Sequence, residues 1–342
     1  MRAAKCTTGT RASLRVTVVI VVAATVLSLS MGLRQSLGLF LGPMNLDLGV
    51  SASAFGFAMA LQNIVWGISQ PFIGVLGDRY GARPVLIGSA LVYTAGLLLM
   101  AAGGPFVGLD IGGGVITGLG IAGTGFGVLL GAVSRAVPPE KRSQTVGLVS
   151  AAGSVGTLVL APLGQALIAS LGWRGALTVF AAIAATMAII AVAIGRESVG
   201  ASAVEPGQQS HSTGDALVLA GKHRGYIALA IAFFACGFQL MFITTHLPQY
   251  LAICGLTPSV SATALGLIGL GNAAGSYIVG QLGAHFSQKR LLSLVYLLRT
   301  VVIAVFLAVP ISPISALVFA AAMGRGAAGE WSDRADVWAA AL

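Results

Sequence analysis

Charge is unusually scarce in this sequence. Lysine, arginine, aspartate and glutamate together make up 8% of its 342 residues, against 56% hydrophobic residues. Soluble globular domains carry about a quarter of their residues charged, so a water-soluble domain of this length is excluded. Cysteine is scarcer still. Cys6, Cys236 and Cys254 stand far apart, with neither zinc-ligand spacing nor the pairing of a disulfide scaffold. A bond from Cys6, before the first apolar run, to Cys254, near the opposite face, is not expected. There is no phosphate-binding glycine loop with a lysine, no metal-ligand cluster and no nucleophile–base pair. The sequence therefore predicts neither an enzyme nor a bound cofactor. Its net charge of +9 comes without aromatic–basic stripes, which argues against a nucleic-acid partner.

What is present is a series of apolar runs of about the 20 residues a bilayer requires. They fall at 16–41, 53–76, 84–103, 108–134, 144–169, 173–195, 225–252, 260–283, 291–309 and 312–324. The first run is longer than the apolar region of a signal peptide and lacks a small-residue cleavage site, so it reads as a retained span. The 47 glycines suit close helix approach in a membrane. If the N-terminus lies inside, the cytoplasmic segments hold fourteen lysines and arginines, Arg79, Arg83 and Arg135 among them, and the external loops only Arg174. That asymmetry predicts a cytoplasmic N-terminus. The expected fold is an all-α membrane protein.

One long polar break interrupts the pattern. It divides the chain into a six-helix bundle at 1–195, a cytoplasmic linker at 196–224 and about four further helices at 225–324, followed by an atypical polar tail at 325–342. A weak repeat supports the division. Gly74-Val75-Leu76-Gly77-Asp78-Arg79-Tyr80-Gly81-Ala82-Arg83 follows the second run. Gly280-Gln281-Leu282-Gly283, leading to Lys289, follows the eighth. Parallel repeats of this kind are a transporter signature.

The segment from Gly74 to Arg83 resembles the signature loop of the major facilitator superfamily, G-x-L-[AG]-D-R-x-G-R-[KR], with Ala82 replacing one basic residue. The resemblance implies twelve helices in two bundles, of which about ten are present. It also implies that Gly74, Gly77, Asp78, Arg79, Gly81 and Arg83 form a conformational latch on the cytoplasmic side. The two glycines would allow close packing, and Gly81 a turn that other residues avoid. Gly38 to Pro43, Gln70-Pro71, Gly172-Trp173-Arg174 and His246 to Tyr250 are similar to the branch containing oxalate/formate antiporters and monocarboxylate porters. Gly153-Ser154-Val155-Gly156 and Ala161-Pro162-Leu163-Gly164 resemble the glycine–proline pattern associated with antiporters.

A charge within a spanning helix is costly and marks a functional hypothesis. Only Arg34 and Arg299 qualify. No acidic residue is expected at comparable depth, since Asp47, Asp78, Asp110 and Glu140 fall near helix ends or in loops. Arg34 can bind a carboxylate through two parallel hydrogen bonds, or snorkel to the headgroups. Arg299, in a helix that is peripheral by resemblance, has an uncertain role. Asn63, His246 and Asn272 complete the expected substrate-binding set. Gln62 and Gln70 are further polar residues that serve equally well as helix–helix glue.

These readings predict a secondary transporter of small organic anions, monocarboxylate or dicarboxylate, working by alternating access. It would be a monomer in a bacterial inner membrane, in contact with lipid and a small-molecule substrate. The alternatives are a truncated inactive fragment and an efflux porter for small hydrophobic compounds. The fragment reading comes from Arg325 onward, where the text turns too polar to finish a span. An out-of-frame continuation would produce that change, and the downstream DNA read in its other two frames tests it.

Overall fold

The computed structural model describes residues 2–194, 224–282 and 288–327. Most of the expected linker and most of the expected tail lie outside the described residues, which contain no strand. The chain begins with α1 (Arg2–Gln35), a 3-10 turn (Leu37–Phe40), α2 (Leu41–Leu48), α3 (Ala52–Tyr80) and α4 (Ala82–Ala102). A π-helix (Pro105–Ile116), α5 (Thr117–Thr124), α6 (Phe126–Ala136) and α7 (Pro139–Ala191) follow. After the linker come α8 (Arg224–Ile253), α9 (Pro258–Leu282), α10 (Gln288–Ala308) and α11 (Pro313–Ala327).

Each of the ten expected spans coincides with helix among the described residues, but four differ in form. Spans five and six are the two arms of α7, which reverses at Gly172, where φ is 71° and ψ is 170°. Only glycine takes that backbone without strain. Span four is built from three pieces, the π-helix, α5 and α6, with an extended break at Gly125. The π-helix is rich in glycine, and the Thr117 hydroxyl donates to the Gly112 carbonyl at 2.8 Å. Span ten, expected to stop at 324, continues as helix to Ala327.

Four stretches of the described residues are long and apolar enough to cross a bilayer: Val16–Leu48, Ala82–Ala102, Pro105–Ala136 and Thr145–Ala191. Local signals set the ends of the helices. Ser51 caps α3 by accepting from the Ala54 amide at 3.1 Å, a bond that serves one of the unpaired amides of a first turn. Gly81, at φ 88°, makes the turn from α3 into α4, as the signature loop predicts.

α7 is central to the packing, with α1 and α4 against it and α9 also in contact. Glycine makes its approach to α1 possible. Gly32 and Gly156 face each other so closely that a methyl group at Gly156 would sit inside the Ser28 carbonyl. The signature glycines do no such packing. A methyl at Gly74 would meet nothing within 4 Å, and one at Gly77 would make an ordinary 3.7 Å contact with Val128.

Candidate functional site

Arg34 stands at the last turn of α1, with 6% of its surface exposed. Two contacts hold α1 below it. The Ser30 and Thr124 hydroxyls are 2.9 Å apart, and the Tyr93 hydroxyl donates to the Ser30 carbonyl at 3.2 Å. These tie α1 to α5 and α4 and fix where Arg34 projects.

Above that anchor the guanidinium meets α3. Its Nη2 donates to the Asn63 carboxamide oxygen, and the Asn63 amide nitrogen donates to the Met59 carbonyl at 2.7 Å. The second bond holds the amide so that its oxygen faces the arginine. Trp66, one turn further along the same helix, covers the guanidinium face at 4.5 Å from the ring centroid. Two sides of the charge are thereby positioned, while Arg34 Nε is buried without a hydrogen-bond partner, and so is the indole N–H of Trp66. Leaving a buried donor unsatisfied costs about 1–3 kcal/mol. A carboxylate entering along the Nε edge would satisfy it.

Asn63 was legible in the sequence; Trp66 was not singled out. Its only sequence signal is its spacing of three residues from Asn63, which places both on one side of a helix.

The other expected substrate residues do not join this pair. Asn272 of α9 donates to the Ser154 hydroxyl of α7 at 2.9 Å. Its place is the seam between the chain's two halves, where a methyl at Gly269 would come within 2.7 Å of the Ser154 carbonyl. His246 of α8 packs on the Phe242 ring at 5.0 Å between centroids. Its Nε2 lies 3.2 Å from where a methyl on Gly56 would be. Neither hydrogen-bonds Arg34 or Asn63 among the described residues. Arg299 is buried in α10 at 1% exposure. Gln62 donates to the Gly113 carbonyl at 2.7 Å and so joins α3 to the π-helix.

At the opposite end of α3, Asp78 pairs with a residue the sequence did not assign to it. Arg135 Nη1, at the end of α6, lies 2.7 Å from its carboxylate. Arg79 instead lies over the Tyr80 ring at 5.4 Å. A second polar cluster sits near Gly172. The Trp173 indole donates to Asp47 at 3.0 Å, and the Arg174 guanidinium donates to the Ala101 carbonyl at 2.7 Å while lying over the Trp173 ring.

A helix reversed at glycine, glycine-tight seams and two buried arginines among the described residues define the class: a polytopic membrane protein built from packed helices. The family model of the Major Facilitator Superfamily matches residues 20–332, and the chain belongs to that family. Monocarboxylate transporter 11 of Mus musculus is 34% identical over 48% of this chain and 37% of its own length. The purine ribonucleoside efflux pump NepI of Shigella sonnei (strain Ss046) is 30% identical over 73% of this chain and 60% of its own. The chain thus spans between about a third and three-fifths of these relatives. In fold it is similar to a bacterial homologue of the human lysosomal transporter Spinster, solved in an inward-facing, unoccupied conformation. The TM-score is 0.70 at 16% identity, over 96% of this chain and 78% of the other.

Proposed function

We propose that the chain carries the anion site of a secondary transporter for small organic carboxylates. The observation that supports this is the buried Nε edge of Arg34, unpaired while the rest of the guanidinium is held by Asn63 and Trp66. Among the described residues no carboxylate pairs with it, so the charge that neutralises it is the substrate's. The bundles 1–195 and 225–324, joined by the linker 196–224, rock about the site. The charge asymmetry puts the N-terminus and the Asp78 loop in the cytoplasm and the Gly56 end of α3 outside. The likeness to a monocarboxylate transporter supports the same substrate class.

Counterflow of labelled mono- and dicarboxylates in proteoliposomes tests it. Arg34→Ala is expected to lower carboxylate affinity by about ten- to a hundredfold, the range for a lost charge-assisted hydrogen bond. Unchanged carboxylate counterflow in that variant would remove the reading. A second reading is export of a neutral planar solute, favoured by the longer match to the nucleoside pump. Counterflow of a labelled purine ribonucleoside that ignores Arg34→Ala would select it.

A further inference from the structure

Thr244 of α8 lies four residues before Pro248. Proline has no N–H and its ring displaces the carbonyl one turn back, so the Thr244 carbonyl lacks its usual helical donor. A carbonyl left this way within an apolar bilayer requires cover from elsewhere in the protein. The cover comes from the other half of the chain. Gly38, in the 3-10 turn that ends the first span, approaches so closely that a methyl there would sit inside the Thr244 carbonyl oxygen and 3.0 Å from that of Thr245. Only a glycine Cα–H reaches such a carbonyl, in the manner of the weak Cα–H···O contacts between closely packed helices. Thr244 and Thr245 are buried at 1% and 5% exposure.

Two more contacts join the same faces. His246 Nε2 lies 3.2 Å from a methyl position on Gly56 of α3, and Gln249 Oε1 lies 3.4 Å from one on Gly42 of α2. All three cross from the first half of the chain to one short segment of α8. They lie beyond Arg34, toward the face opposite the Asp78–Arg135 pair.

We propose that Gly38, seated on the carbonyl freed by Pro248, is the closing element of an outer gate above Arg34. Gly56 and His246 form its second point. When the halves separate on that side, the Thr244 carbonyl passes from the Gly38 backbone to water. Proline and glycine thereby make the closed seal close-fitting, because the one frees the carbonyl on which the other seats. The inference rests on the rocking of the two halves but not on the carboxylate reading.

The test needs no substrate. Met59, buried at 4% exposure and one turn inside Gly56, becomes the reporter as Met59→Cys in a chain whose Cys6, Cys236 and Cys254 are serine. A membrane-impermeant thiol reagent is added from outside. Gly38→Leu and Pro248→Ala are each expected to speed labelling at least about tenfold. Gly67→Leu, at a glycine with open space around it, is expected to leave the rate alone. Labelling at the parent rate in a monodisperse Gly38→Leu or Pro248→Ala variant overturns the gate.

If Gly38→Leu does not fold, the pair Gly56→Cys and His246→Cys decides with Gly38 intact. A disulfide that forms on mild oxidation and suppresses labelling at position 59 supports the gate. A pair that links without slowing the reagent overturns it, and where the pair does not link, labelling of Pro248→Ala at the parent rate does. Loss of carboxylate counterflow with normal gating would touch only the anion site.

Discussion

At the scale of single residues, Arg34 is held as a cation with one edge left for a ligand. Its Nη2 is committed to Asn63 and its face to Trp66, so the remaining donor geometry is the planar fork of a guanidinium. Lysine cannot reproduce a fork, and at such sites the exchange is not conservative. Arg34→Lys is therefore expected to lose carboxylate counterflow nearly as fully as Arg34→Ala. Asn63→Ala, which frees Nη2 without removing the charge, should keep part of it. Retention of parental affinity in Arg34→Lys would mean that charge alone, not the oriented fork, binds substrate. The arginine itself was legible because a lone cation in an apolar run is conspicuous in any reading. Trp66 was not, because an aromatic residue in an apolar run carries no such mark.

At the scale of elements, glycine decides which helices touch. α1 and α7 approach where Gly32 and Gly156 meet, and a side chain at Gly156 would collide with the Ser28 backbone. Gly67, on α3, faces open space. Gly156→Ala should thus destabilise the protein by about 1–3 kcal/mol, the usual cost of overpacking. Gly67→Ala should be neutral or stabilising by up to about 1 kcal/mol through helix propensity. Thermal melts in detergent separate the two, and equal melting temperatures for both variants would contradict this account. The sequence placed the helices well because hydropathy is a local property. It attributed close packing to Gly74 and Gly77, and the structure puts that packing at Gly32, Gly156 and Gly38. A glycine's neighbour depends on how two helices are rotated about their axes, and nothing within one helix states that rotation.

At the scale of the whole molecule, the halves meet in two places of different character. One is the gate region, where α8 faces α1, α2 and α3. The other, among the described residues, is the seam between α7 and α9, which holds the Asn272–Ser154 hydrogen bond. Rocking requires one contact that separates and another that persists. Ser154→Cys with Asn272→Cys, joined by a short bifunctional thiol reagent, should therefore leave counterflow largely intact. The Gly56→Cys and His246→Cys link should stop it. Arrest by the seam link would show that α7 and α9 also part during the cycle.

The sequence by itself determined membrane insertion, the order of the helical spans, the signature loop from Gly74 to Arg83 and the presence of a cation, Arg34, within a span. Each follows from hydropathy, local backbone chemistry or the cost of a charge in hydrocarbon. The tertiary structure alone decided that Arg34 meets Asn63 and Trp66, that Asp78 meets Arg135, and that Asn272 belongs to a seam with Ser154. It also set Gly38 against the carbonyl left by Pro248. In water an apolar stripe tells a helix which face to bury. In a bilayer every face of a spanning helix is apolar, so partners are chosen by shape and by a few polar contacts. That choice exists only once the helices are packed.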